Sequence, residues 1–385
     1  MFQSQCITLF SLCALISGYS EEDRVRDLMS RYPLIDGHND LALQLRKHYN
    51  NHLNHINFYD IKEIATDISR LQMFSVYVLC GAQEKDAVRL TLEQIDVLKR
   101  MCTQNKDFEL VTSTQDSHLK HKIACMLSVE GGHSIDSSLP VLRMFYQLGV
   151  RSMALTHTCN TPWAESSSKR YSFYQRQNNS LTTFGRAVVE EMNRLGMIID
   201  LSHTSWGTAQ AVLKLSKAPV IFSHSSSYSL CNSDRNVPDW MLKELNRGLI
   251  MVNFHSNFIS CKREANISLV ADHFDHIKNI IGVDSIGIGS DFEGAISFPK
   301  GLDDVSKYPA LIKELLQRNW TEQELADILR RNFVRVFDEV EKVKRKKKKN
   351  FTKHPDSPSA SDQHGPSALH ILLTAVLLLS TLSLL

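Results

Sequence analysis

Residues 197–224 read MIIDLSHTSWGTAQAVLKLSKAPVIFSH: two apolar runs, Met197–His203 and Pro219–His224, flank a segment with helical periodicity (WGTAQAVLKLSK). Aliphatic runs without polar alternation mark strands covered on both faces, and two of them joined by a helix make a parallel βαβ unit. The same unit recurs in both directions along the chain. Further runs are Pro33–His38 (PLIDGH), Phe74–Cys80 (FSVYVLC), Ile123–Glu130 (IACMLSVE), Ser152–His157 (SMALTH), Leu249–Phe254 (LIMVNF) and Ser285–Asp291 (SIGIGSD). Helical patterns such as LTLEQIDVLKRMCTQ, LPVLRMFYQLG, GRAVVEEMNRLG and ISLVADHFDHIKNIIG lie between most of them. Thr321 and Glu324 form a late capping box that opens a helix towards Val340. Eight such units between Arg31 and about Val340 predict an α/β fold, a (β/α)8 TIM-like barrel; a doubly wound sheet is the competing arrangement. Six of the eight runs end in His, Asp or Glu, where a barrel of this kind carries its active site.

Composition narrows the classes. A 385-residue chain with 43% hydrophobic and 22% charged residues is not disordered. Forty-four Lys+Arg against 42 Asp+Glu, a net +2, are too balanced for a nucleic-acid binder. Eight Cys are too sparse for a disulfide scaffold. The length alone allows two domains, but no linker interrupts residues 21–341, so one catalytic barrel is expected there.

The ends carry targeting signals. Residues 1–20 read as a secretory signal, with an apolar stretch Cys6–Ile16 and small residues before Glu21. The apolar run Ile371–Leu385 is shorter than the ~20 residues of a spanning helix. Preceded by Ser359-Ala360-Ser361 and a polar spacer, it reads as a GPI-attachment signal with Ser359 as the anchored residue, residues 362–385 being removed. A single membrane span is the alternative. Residues 342–361 then form a polar stalk whose basic run, Lys344–Lys349, suits anionic headgroups or sulfated glycans. Residues 342–385 hold eight Lys+Arg and two Asp+Glu, so the near-neutral whole is a mildly acidic barrel on a basic stalk. Sequons at Asn178, Asn266, Asn319 and Asn350 predict surface glycosylation. Together these place the protein on the extracellular face of the plasma membrane.

The run ends carry the chemistry. His38 and Asp40, two apart on an extended backbone, project the same way and can share one metal ion. Glu130 precedes Gly131-Gly132, where a sharp turn leaves its carboxylate at the barrel mouth. His203, His224 and Asp291 end three further runs. Taken singly, a strand-end histidine is an ordinary hydrogen-bonded loop residue. Gathered at one mouth, three imidazoles and two carboxylates form a ligand set for two zinc-like ions, with Glu130 placed to bridge them. Mixed nitrogen and oxygen donors without thiolate favour Zn²⁺ over Mn²⁺ or Co²⁺. The serines around His224 (SHSSSYS) read as structural, and His48, His52 and His55 as a solvated face. His133 is at most a supporting residue.

Across about Arg31–Val340 the chain closely resembles the membrane (renal) dipeptidases, zinc peptidases of the cell surface. The resemblance runs through LIDGHNDL, VEGGHSIDSSLPVLR, LTHTCNTPWA, LGMIIDLSH, PVIFSHSS, DRNVPD and GSDFEG. It implies a barrel of the metallo-dependent hydrolase type and two Zn²⁺ per chain. His38 and Asp40 match ligands of one zinc, Glu130 the bridging ligand, and His203 and His224 the ligands of the other. His157 matches a histidine near the scissile carbonyl, and Arg235 the arginine that grips the substrate's terminal carboxylate. Asp291 matches the acid that handles the proton. The implied reaction is hydrolysis of dipeptides, cystinyl-bis-glycine and leukotriene D4 among them, by a hydroxide shared between the zincs. The resemblance also pairs Cys80 with Cys159 and Cys231 with Cys261, leaving Cys102 and Cys125 as buried thiols. It implies a homodimer, non-covalent here because no cysteine follows Cys261.

Four features depart from the family, the unusually basic stalk among them. A Gly-containing segment before Phe74 is shortened, His255 stands in place of a tyrosine near the substrate, and Ser290 replaces a glycine. Two other readings compete with a dipeptidase: a catalytically silent GPI-anchored binding or adhesion protein on the same barrel, and a binuclear hydrolase of lactams or esters that does not need Arg235.

Overall fold

The computed structural model describes residues 20–53, 69–116, 122–168, 174, 181–262 and 264–351. The expected leader up to Tyr19, Asn178, His55, Ser359 and the C-terminal tail lie outside them. Among the described residues nine parallel strands form one sheet: β1 Leu34–Asn39, β2 Ser69–Tyr77, β3 Phe108–Leu110, β4 Ile123–Glu130, β5 Val150–Ala154, β6 Ile198–Asp200, β7 Ile221–Phe222, β8 Leu249–Val252 and β9 Ile286–Ile288. Their order is β2-β1-β9-β8-β7-β6-β5-β4-β3, and pairing of β2 with β4 closes eight of them into a barrel. The eight expected runs are the eight barrel strands. The strand that patterning missed is β3, three residues long. It takes the flank of Ile123–Cys125 that β5, pairing only from Leu127, leaves open.

Helices fall where the periodicity put them, at Ala87–Gln104, Leu139–Gln147, Thr183–Leu195, Trp206–Leu215 and Ile267–Ile281. Several start on the expected chemistry: Ser138, Thr182, Ser205 and Asn266 each accept a backbone N–H at the N-cap. Thr321 and Glu324 form the capping box, but the helix they open is not continuous. A π-helical turn, Asp327–Arg331, separates Glu322–Ala326 from Asn332–Phe351. It leaves Asn332 donating to the carbonyls of Val283 and Ile286, beside β9.

The barrel core has two parts. Outside it, helices pack on the strands around Leu98, Leu142, Val188, Phe274 and Leu311. Inside, Ile35, Met73, Met126, Ile221 and Met251 meet Phe333, Val336, Phe337 and Val340 of the last helix. That spacing is one helical face. The last helix therefore plugs the barrel's N-terminal end, each fully buried side chain contributing ~1.5–3 kcal/mol, and leaves the opposite mouth for chemistry. The chain divides compactly after Arg345, and the described part of the segment from Lys346 is the end of this helix, to Phe351. Among the described residues no helix is long and apolar enough to cross a membrane.

The shortened segment before Phe74 leaves β2 intact. Leu71–Tyr77 pairs residue for residue with Ala124–Glu130. The cysteines need one correction. Cys80–Cys159 and Cys231–Cys261 are bonded as the resemblance implied, but Cys102 and Cys125, expected as thiols, form a third disulfide. Cys102 lies in the last turn of Ala87–Gln104 and Cys125 on β4. The helix crosses the strand there with the Cα atoms 6.2 Å apart, within disulfide reach. Neither residue's own helix or strand pattern records that crossing.

Candidate metal centre and active site

At the open mouth the strand ends bring the acids and imidazoles onto one atom. Glu130, the last residue of β4, has Oε1 3.0 Å from His203 Nε2, 3.4 Å from His224 Nε2, 3.5 Å from His38 Nε2 and 3.6 Å from His157 Nε2. Its other oxygen accepts the Ser75 hydroxyl at 3.0 Å. His38 Nε2 also meets Asp40 Oδ2 at 3.1 Å, and His203 Nε2 lies 2.9 Å from His224 Nε2. Ligand atoms gather in overlapping groups: His38, Asp40 and Glu130; His38, His224 and Asp291; Glu130, His157 and His203. Every candidate ligand is therefore brought together.

The backbone is bent to achieve this. His203 and Asp291 occupy the left-handed region, at φ 67° and 65°, where a side chain costs about 1 kcal/mol or more. Gly131 (φ 106°) turns the chain directly after Glu130. Gly294 matters more. A Cβ there would sit 2.1 Å from Asp40 Oδ2 and 2.7 Å from Asp291 Oδ1, so only glycine lets this loop approach both carboxylates.

Beneath the mouth lie two buried carboxylates that sequence reading did not single out. Asp200 accepts the backbone N–H groups of Ser202 and Ser223 and the Ser223 hydroxyl, which is 2.8 Å from His224 Nδ1. This chain orients His224 so that Nε2 faces Glu130. Asp36 plays the matching part under His38. It accepts the backbone N–H of His38, both donors of Ser290 and the Tyr308 hydroxyl. The Ser290 that departs from the family is thus absorbed as a further donor to Asp36. Such supporting hydrogen bonds fix the orientation of metal-binding side chains. The only sequence signal for either acid was its place two or three residues before a candidate ligand. His133 proves to be a strut, its Nε2 2.8 Å from the Val78 carbonyl.

The residues present fit a bound cation. Asp40 Oδ1 and His203 Nδ1 are buried with no hydrogen-bond partner among the described residues, and so is Arg235 Nε. Burial pushes Glu130 and Asp291 up and holds His157, His203 and His224 well below the ordinary imidazole value. For His38 burial acts the same way, but the Glu130 and Asp40 carboxylates outweigh it and raise it. Neutral imidazole nitrogens converging on carboxylate oxygens in a dry site are expensive alone and are what a divalent ion coordinates. Among the described residues no thiol is free to take part, since all six cysteines are in disulfides.

An open cavity of 760 Å³ extends from this cluster, its lining including Tyr77, His157, Thr158, Arg235, His255 and Phe258. His157 is held by ring contacts with Tyr77 (4.0 Å) and His203 (4.1 Å), and its Nδ1 is 3.0 Å from the Thr158 hydroxyl. Arg235 bonds the Ser225 hydroxyl and the His224 carbonyl, and its guanidinium lies 5.3 Å from the Phe258 ring centre. The Cys80–Cys159 bond ties the loops after β2 and β5 beside His157, and Cys231–Cys261 ties the loops bearing Arg235 and Phe258.

Residues 22–350 match the profile of the membrane dipeptidases, peptidase family M19. The chain belongs to that family. It is 50% identical to Dipeptidase 3 of Mus musculus over 83% of its own length and 66% of the mouse protein's, so the match spans about two thirds of that relative. Dipeptidase 3 of Homo sapiens is likewise 50% identical, over 83% of this chain and 68% of the human one. Among solved structures, the metallopeptidase dipeptidase AC superposes with a TM-score of 0.72 at 26% identity, covering 80% of this chain and 98% of that one. The barrel is thus that of the family, and the chain is a dipeptidase-family metallopeptidase. Of the expected glycosylation sites, Asn319 is exposed and Asn266 caps its helix through Oδ1. Asn350 lies in the last helix, its side chain outside the description.

Proposed function

We propose that this chain is a cell-surface zinc dipeptidase. The observation that carries the reading is the combination in one cavity of four imidazoles on Glu130 Oε1 and an arginine with an unused buried donor. His38, Asp40 and Glu130 would hold one Zn²⁺, and Glu130, His203 and His224 a second. Zinc bound there supplies Lewis acidity and makes water acidic enough to attack a peptide carbonyl at neutral pH.

The protein's own groups do the rest. Arg235 takes the substrate's terminal carboxylate, for which its planar fork is matched, and so fixes which peptide bond meets Glu130. With the carboxylate clamp and Glu130 in one cavity, the substrate would be a dipeptide. His157, held neutral by burial, keeps its proton on one ring nitrogen and donates it to the oxygen on which charge develops. Asp291, whose carboxyl burial pushes up, accepts a proton from the attacking water and returns it to the leaving amine. Cystinyl-bis-glycine and leukotriene D4 are substrates of this kind.

The secretory leader, a GPI anchor at Ser359, the basic stalk, glycans at the four sequons and a non-covalent homodimer complete the proposal. The test is metal content per chain together with hydrolysis of Ala-Gly. Two zincs and turnover are expected, with turnover lost in Glu130→Gln and KM raised in Arg235→Ala. Full activity in Glu130→Gln overturns the shared-ligand reading, and an unchanged KM in Arg235→Ala overturns the clamp. A metal-free, inactive chain leaves the binding-protein reading in its place.

A further inference from the structure

His255 lines the same cavity and has no part in the steps above. It precedes the one-turn helix Ser256–Ile259, and its Nδ1 accepts the Asn257 backbone N–H at 3.3 Å. A ring nitrogen that accepts carries no proton, so the neutral imidazole has its proton on Nε2. Burial, reinforced by Arg235, pushes this histidine down to about 4, and it stays neutral at physiological pH. The ring packs on Phe258 with centres 4.4 Å apart, and the same Phe258 lies beneath the Arg235 guanidinium at 5.3 Å. Phe258 therefore packs against both a cationic fork and a neutral N–H donor, and the Arg235 charge is near enough to act on His255. The wall is also braced: the Ser256 N–H donates to the Ser297 carbonyl, next to Ile296, which is 80% exposed and lines the cavity.

We infer that His255 selects the second residue of the dipeptide, its Nε2–H donating to an acceptor on a short polar side chain such as that of Asn or Asp while Arg235 holds the same residue's carboxylate. The inference rests on the dipeptidase reading. A carboxylate and the side chain on the same Cα are neighbours, so the group beside the carboxylate clamp meets that side chain. Leucine nearly matches asparagine in shape but would strip water from Nε2–H and offer nothing in return. One partly exposed hydrogen bond corresponds to a preference of about tenfold.

The experiment measures kcat/KM of the zinc-supplemented full chain for Ala-Gly, Ala-Asn and Ala-Leu, in the wild type, His255→Phe and His255→Gln. The Ala-Asn to Ala-Leu ratio within each protein is the readout, because it does not depend on how much of a variant is folded. A ratio of about ten is expected for the wild type. It should fall to about one in His255→Phe and recover in part in His255→Gln, which keeps an N–H donor. A wild type that cleaves Ala-Gly but favours Ala-Leu, or a ratio unchanged in His255→Phe, overturns the role of His255 and leaves the dipeptidase reading standing. A zinc-loaded wild type that cleaves none of the three overturns both.

Discussion

Replacing Gly294 by alanine tests the geometry of the mouth without touching a candidate ligand. The added Cβ would lie 2.1 Å from Asp40 Oδ2 and 2.7 Å from Asp291 Oδ1. Ordinary contact begins near 3.5 Å, so one carboxylate oxygen must retreat by more than ~1 Å and the other by somewhat less. Neither has slack. Asp40 is tied through its backbone N–H to the Phe292 carbonyl, and Asp291 sits in a left-handed turn whose carbonyl already accepts two N–H groups. Displacement of about 1 Å at a reacting group costs about 10²-fold in rate, while overpacking one methyl costs ~1–3 kcal/mol of stability. The expected result is a 100-fold or greater loss of kcat/KM for Ala-Gly, a modest fall in Tm and weaker zinc retention against a chelator. A Gly294→Ala protein that keeps its metal and hydrolyses Ala-Gly within threefold of the wild type would refute the claim that this loop sets the two carboxylates.

Three further outcomes follow from the same structure. Ser223→Ala leaves His224 Nδ1 and Asp200 without their shared hydroxyl; zinc affinity, read by chelator competition, should fall 10–100-fold, and an unchanged affinity would detach Asp200 from the site. Replacing Cys102 and Cys125 together by serine opens a 23-residue separation and should lower unfolding stability in denaturant by about 3 kcal/mol; identical curves in oxidised wild type and variant would mean the bond does not form. His273 is buried with Nδ1 accepting from Ser227 N–H and Nε2 donating to the Ile259 carbonyl, and burial pushes it from 6.5 down to about 4. Because the folded value lies below the unfolded one, its contribution is present above pH 6.5 and lost as pH falls towards 4, up to about 3 kcal/mol. A ring that titrates near 6.5 by NMR in the folded protein contradicts this.

The sequence by itself determined the barrel and the inventory of its mouth. Eight unalternating apolar runs demand strands covered on both faces, and the helical segments between them supply the cover, so the parallel closed sheet is a local consequence repeated eight times. His38, Asp40, Glu130, His203, His224 and Asp291 were legible because each stands at or just past a run's end, and the barrel's architecture sends those ends to one place. Patterning could not show what depends on separate segments meeting. The three-residue β3 is too short to carry a period. The Cys102–Cys125 bond depends on where a helix crosses a strand, and the π-turn at Asp327–Arg331 answers packing against β9. Asp36 and Asp200 looked like ordinary strand residues until Ser290, Tyr308 and Ser223, contributed by other units, were found to be bonded to them. Only tertiary structure decided that four imidazoles share one oxygen of Glu130, since that convergence is set by barrel closure and by left-handed turns at His203 and Asp291. Gly294 follows the same logic: its need for no side chain is a distance to two carboxylates, and a distance between segments is not written in either one.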